Sequence, residues 1–299
     1  MDWITGIQKA IDYVEEHLTE ELDYEKIAQE GFYSSFHFQR VFSILCGYTL
    51  GEYIRNRRLT LAGADLANSH HKVIDVALKY CYDSPESFTK AFRKFHGITP
   101  SQAKNNGALL KSFSRLSIKI TLEGGSDMNY RIEEKEQLDL YGYTQRFAGS
   151  PKSRNYQDHD FVCDTRLKHA VLQYMAHDVD TTYCVMDNFS DDGYNFSVAS
   201  YVGENADFAD MFGKETVDWF EKITIPKGTY LVCEGEKCEY PTAYADDFYR
   251  EVVTRILPDA GLELAKGPTV EILHWFYKEG DMALNSSRYI ELWLPVIKK

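Results

Sequence analysis

The chain has 299 residues, 44% of them hydrophobic and 26% charged, a composition that excludes disorder and low complexity and predicts about two domains, each with its own core. No apolar run reaches the ~18 residues that a bilayer span needs, and the opening MDWITGIQKAIDYVEEHL has acids where a signal peptide needs a basic flank, so a cytoplasmic protein without membrane contact is expected. The net charge of −13 is unevenly spread: residues 1–125 hold 15 basic and 15 acidic side chains, residues 126–299 hold 18 and 31, and within 31–104 the counts are 10 and 5. That split suits a phosphate-binding surface early in the chain and a cation-attracting one later.

Ile4, Ile7, Ile11, Val14 and Leu18 recur at three- and four-residue steps and predict a first amphipathic helix. Asp23 is placed to cap the next, with Leu22 and Ile27 as its hydrophobic staple, and Ser34 to cap SFHFQRVF. Thr49 and Glu52 form a capping box ahead of TLGEYIRNRRLTLAGADLAN. The pattern then repeats: Phe38, Phe42, Gly47 and Thr49 are matched 50 residues later by Phe88, Phe92, Gly97 and Thr99, and Thr99 with Gln102 repeats the capping box. Two helix-turn-helix units joined by a long helix follow, and two recognition helices about 34 Å apart would meet consecutive major grooves of double-stranded DNA. In the first copy Ser35, Gln39 and Arg40 are expected to point outward, Gln suiting adenine and Arg guanine; in the second, Glu86, Thr89 and Lys90. His37 suits a phosphate contact or packing, and Arg55, Arg57 and Arg58 suit either phosphate contacts or a salt-bridged helix face.

YSSFHFQRVFSILCGYTLGEYIRNRRL and YDSPESFTKAFRKFHGITPSQ resemble the DNA-binding domain of the AraC/XylS transcriptional regulators over about residues 7–104. The resemblance implies base-reading positions at Phe36, Gln39 and Arg40 and at Pro85, Glu86, Thr89 and Lys90. Phe32 and Cys81 stand where the family has a turn glycine, so a positive φ there would be strained.

The all-α domain is expected over 1–108, a linker over 109–127, and a second domain over 128–299. Alternation in Ser117–Leu122 suggests a strand. Further strands are predicted at 128–134, 138–147, 182–187, 194–202, 222–226, 228–234, 268–277 and 289–296, with helices over about 158–176 and 242–257. Period two puts Tyr289, Glu291 and Trp293 on one strand face, with Ile290, Leu292 and Leu294 on the face that would pack on helices; in EILHWFY it groups Glu271, Leu273, Trp275 and Tyr277. A carboxylate walled by aromatics suits a large organic cation.

MNYRIEEK, FEKITIPKGTYLVCEG, GPTVEIL and YIELWLPV resemble the GyrI-like effector-binding domains. That resemblance implies an α+β domain of two β-α-β-β units enclosing a ligand groove, a hydrophobic and cationic small-molecule effector, and a ligand-contacting Glu291. Tyr289, Trp293, Trp275, Tyr230 and Tyr141 complete the expected pocket. The reading is a DNA-binding transcriptional regulator in which a bound effector alters DNA binding or a contact with RNA polymerase. The alternative is an enzyme that hydrolyses its ligand with Glu291 as general base. Cysteines 46, 81, 163, 184, 233 and 238 form no Cys-x-x-Cys pair, so reduced thiols are expected, with no metal and no cofactor.

Overall fold

The computed structural model describes residues 3–68, 71–105, 107–118, 128–151, 158–203, 213–275 and 286–298. The chain forms two compact units, Met1–Phe42 with Tyr48–Glu123, and Ser43–Gly47 with Gly124–Lys299.

The first unit is all helical: α1 (Trp3–Glu16), α2 (Tyr24–Glu30), α3 (Ser35–Cys46), α4 (Leu50–Asn68), α5 (Val73–Lys79), α6 (Pro85–His96) and α7 (Pro100–Ala103). The caps fall where the side chains predict them. Asp23 accepts from the Glu25 N–H, Ser34 Oγ from the His37 N–H, and the Thr49/Glu52 and Thr99/Gln102 boxes are closed in both directions. Ile7, Ile11, Val14 and Leu18 are all buried. Each repeat is built on a pair of tilted phenylalanine rings, Phe38 with Phe42 at 5.9 Å and Phe88 with Phe92 at 5.4 Å.

The α2–α3 and α5–α6 turns share one construction. Phe32 N–H donates to Gln29 O and Tyr33 N–H to Ala28 O; in the second repeat, Cys81 N–H donates to Leu78 O and Tyr82 N–H to Ala77 O. This paired pattern needs a left-handed residue after the helix, and Phe32 (φ 64°) and Cys81 (φ 60°) take that conformation despite their Cβ atoms. The strain expected from the missing glycines is therefore present in both turns.

Residues 110–116, placed by sequence in a free linker, lie against the helical unit. The Phe113 N–H donates to Thr60 Oγ1, its carbonyl accepts from Arg57, and its ring meets Tyr48 and Tyr53 edge-on. The Lys111 N–H donates to His96 Nδ1 and the Leu116 N–H to the Tyr53 hydroxyl. Residues 117 and 118 are not strand, and the rest of the predicted Ser117–Leu122 strand lies outside the described residues.

The second unit contains β1 (Tyr130–Lys135), β2 (Leu138–Phe147), α8 (His159–Met175), β3 (Thr181–Ser190), β4 (Gly193–Ser200), β5 (Glu221–Ile225), β6 (Gly228–Glu234), β7 (Leu262–Leu264), β8 (Thr269–His274) and β9 (Tyr289–Lys298). Helix α9 starts as Ala245–Glu251, widens to a π-helical turn over Val252–Ile256 and closes at Leu257–Asp259. The antiparallel sheet runs β1-β6-β9-β8-β3-β4-β2-β5, with β7 added beside β9. Either side of the central β3–β8 pair the order is the same in reverse, so two β-α-β-β units, each preceded by one further strand, repeat across a pseudo-two-fold. The preceding strands are exchanged: β1 pairs with β6, and β5 with β2.

Both helices cover one sheet face. Phe161 of α8 packs on Phe147 and Phe196, and the Tyr249 hydroxyl of α9 meets Thr269 Oγ1 at 3.1 Å. Ile290, Leu292 and Leu294 belong to this face and are buried, as the alternation in β9 predicts. The opposite face has its own core, with Leu140, Val185, Ile225, Tyr230, Val232, Ile272 and Trp293 in one cluster.

Candidate DNA-binding surface and effector cavity

On α3 the buried side is Phe38, Val41 and Phe42, which leaves Ser35, Phe36 and Gln39 partly exposed. The Gln39 amide donates to Ser35 Oγ one turn earlier, at 3.0 Å. Arg40 is only 4% exposed and His37 6%, which corrects the outward direction expected for Arg40. Helical spacing fixes where a Cα–Cβ bond points, whereas a long, rotatable side chain can fold back along the protein surface. His37 packs at 4.9 Å from the Tyr33 ring. Two of the three arginines on α4 also have structural partners. Arg57 pairs with Glu15, and Arg58 donates to the carbonyls of Leu18 and Glu20. Arg55 is exposed.

Helix α6 is the more open of the two. Phe88, Phe92 and His96 anchor it, while Glu86, Lys90, Arg93 and Lys94 are exposed and Pro85 and Thr89 half-buried. Six of these, with Thr99, line one open concave surface: Pro85, Glu86, Thr89, Lys90, Arg93 and Lys94. Arg93 and Lys94 were not among the expected contacts. Their signal was their spacing three and four residues beyond Lys90.

In the sheet unit the expected pocket divides between the two faces. Tyr289, Glu291, Trp293 and Tyr230 lie on the face away from the helices, whereas Trp275 and Tyr141 lie on the helix side, since Leu273 pairs with Ile290 and Tyr141 with Ser200. Nor is Glu291 open to a cation. One oxygen accepts from Arg131 at 2.8 Å and the other from the Trp293 indole N–H. Arg131 also pairs with Glu133 and Glu234, and the Lys135 ammonium sits 4.2 Å from the Trp293 ring centroid. Both oxygens of Glu291 are thus engaged by side chains of this unit. The Tyr230 hydroxyl donates to Pro226 O within the core, and Tyr289 stacks on His274 at 4.3 Å. Tyr277 lies outside the described residues.

The helix side instead holds a cavity of about 330 Å³ between α8 and the sheet, in the size range of small-molecule sites. Tyr143, Phe161, His169, Cys184, Leu273 and Trp275 line it, with Arg166 exposed at its rim. The Trp275 indole N–H donates to Thr182 Oγ1, which fixes the ring, and burial lowers the pKa of His169, favouring its neutral form. Beside this cavity lies Glu271, which neighbours Leu273 on the same face of β8 and pairs with Cys184 across β3. Glu271 is 2% exposed, and its Oε2 has no hydrogen-bond partner among the described residues. Burial, with Asp246 adding to it, pushes its carboxyl up to about 8. The alternation in EILHWFY had put Glu271 on one face with Trp275; what it could not show is that this face borders the cavity.

Among the described residues no group of three metal-binding side chains converges, and no helix is long and apolar enough to cross a membrane. All six cysteines are free of disulfides, and burial raises the Cys46 and Cys233 thiols to about 12.

Paired helix-turn-helix units followed by a two-fold-related sheet with a cavity under its helices define a DNA-binding regulator with an effector-binding domain. Residues 27–106 match a helix-turn-helix domain, and residues 131–296 match the integron-associated effector binding protein family. The chain belongs to that effector-binding family, which accounts for more than half its length, and its helical unit is of the AraC regulator type. It is 44% identical over 95 residues to the HTH-type transcriptional activator AarP of Providencia stuartii, spanning 32% of this chain and 70% of that one. The regulatory protein SoxS of Salmonella typhimurium is 35% identical over 99 residues, 33% of this chain and 92% of SoxS. The right origin-binding protein of Escherichia coli K12 is 30% identical over 152 residues, about half of each chain.

Proposed function

We propose that this regulator reads double-stranded DNA through α3 and α6 and takes a hydrophobic, cationic small molecule into the cavity beside Glu271. Gln39 is the adenine-reading candidate of α3, and Lys90, Arg93 and Lys94 supply the phosphate-facing charge of α6. The observation that carries the effector reading is a fully buried carboxyl, lacking a partner for one oxygen, directly beside Leu273 and Cys184 of the aromatic-lined cavity wall. Such a group is costly to ionise alone, and a cation seated against it offsets that cost. A neutral ligand of the same shape gains only the apolar contact. An effector that binds two conformations with different affinity then shifts DNA binding, or a contact with RNA polymerase, in the cytoplasm.

The test is a calorimetric titration of the full chain with a lipophilic quaternary ammonium and with its uncharged carbon isostere. The cation binds more tightly than the isostere, and its affinity rises from pH 6 to pH 9 because binding releases the Glu271 proton. In Glu271→Gln both the preference and the pH dependence disappear. Equal affinity for the two compounds in the wild type, at every pH, would refute the charge-pairing role.

A further inference from the structure

We infer that Glu86 makes the second recognition helix a cytosine reader, its carboxylate accepting the N4 amino protons of one cytosine in the major groove. The inference rests on the reading of α6 as a DNA-contacting helix.

The open side of α6 carries one carboxylate and three cations. Glu86 is in the first turn, and Lys90, Arg93 and Lys94 lie in the turns that follow, all four exposed. Glu86 and Lys90 have the i,i+4 spacing of a helical ion pair, yet neither side chain has a hydrogen bond or ion pair to a described residue. The carboxylate therefore stands free in a surface otherwise suited to phosphate.

A recognition helix reaches base edges with its N-terminal residues. Arg93 lies seven residues beyond Glu86, about 10 Å along the axis at ~1.5 Å per residue. Glu86, in the first turn, is therefore placed to meet base edges, and Arg93 and Lys94, two turns later, to meet phosphates. A carboxylate there is repelled by the backbone and by every acceptor on the bases. Guanine offers N7 and O6, both acceptors, and thymine an acceptor and a methyl group; adenine sets its N7 acceptor beside its amino group. Cytosine alone presents an amino donor with no adjacent acceptor, and Glu is the side chain that suits it. Thus Glu86 selects by rejection as much as by attraction.

The competing role is helix stabilisation, since a first-turn carboxylate complements the helix dipole. That role would be felt in stability and would leave base preference untouched.

The experiment is selection of bound duplexes from a random pool by the full chain, as wild type, Glu86→Gln and Glu86→Ala. The wild-type motif contains one fixed cytosine that becomes adenine with Gln, whose amide pairs with adenine N6 and N7, and becomes degenerate with Ala, the remaining positions being unchanged. On the selected duplex, replacing that cytosine weakens wild-type binding roughly 5- to 150-fold and the Ala variant about 2-fold or less. Glu86→Ala also binds unrelated duplex more tightly at low salt, because a repulsive charge is gone. Identical motifs from all three proteins would overturn the cytosine assignment while leaving the DNA reading intact. Failure of the wild type to enrich any motif would overturn the DNA reading of α3 and α6, and this inference with it.

Discussion

Glu271→Gln isolates the cost of the buried carboxyl. The ordinary carboxyl value of 4.5 is pushed to about 8 in the folded chain, so between those values the folded state holds a proton that the unfolded state has lost. For a group raised in this way, the stability present below the unfolded value is lost as pH rises through the folded one. Between pH 5 and pH 8.5 the two titration curves predict a loss of about 4 kcal/mol from this group, as a ceiling. Water penetration and relaxation reduce it, yet several kcal/mol remain typical for a buried ion. The substituted amide does not titrate, so the variant gains on the wild type by that amount across the window. Any constant penalty of burying an amide cancels between the two pH values, as do the histidines, which both proteins share. The assay is urea denaturation followed by tryptophan fluorescence at each pH, reported as the difference of differences. Parallel stability curves for the two proteins would refute the argument, because they would mean the carboxyl is solvated or paired in solution.

Two further outcomes follow from the helical unit. Cys81 is exposed at φ 60°, so Cys81→Gly removes a left-handed penalty of about 1–2 kcal/mol and adds about 0.5–1 kcal/mol of unfolded-chain entropy. The net gain is about 0.5–1 kcal/mol, seen in calorimetry as a rise of roughly 3–6 °C in the melting of this unit; Cys81→Ala, which keeps the Cβ, leaves it unchanged, and a lower midpoint for Gly would contradict the strain. Gly63→Ala reverses the usual sign for a helix, since a Cβ there falls 2.8 Å from the His96 ring, which Leu59 O and the Lys111 N–H hold in place. Overpacking of about 1–3 kcal/mol outweighs the better helix propensity of Ala, and a stabilised variant would show that the ring can move.

Local features of this chain were legible in its sequence. The capping residues Asp23, Ser34, Thr49 and Thr99 act where they were expected, because a cap is settled within three residues of chain. The limits of β2 and β6 match their predicted ranges, since period-two alternation is visible within a single strand. The three-residue β7 is too short to show any period, and only its pairing with β9 defines it.

What tertiary structure alone decided is which side chains remain available. Period two placed Glu291 between Tyr289 and Trp293 and put Glu271 on one face with Leu273 and Trp275, and the fates of the two carboxyls differ through distant neighbours. The exchange of β1 onto β6 brings Arg131 to Glu291 from 160 residues away. The face under α8 and α9 buries Glu271 and leaves one of its oxygens without a partner among the described residues. In the same way Arg40 is buried while Lys90, its counterpart in the second repeat, is exposed. Periodicity is set by the backbone geometry of a few residues, and so is written in the sequence. The desolvation and pairing of a charge are set by whatever the fold packs around it, and those neighbours lie far along the chain.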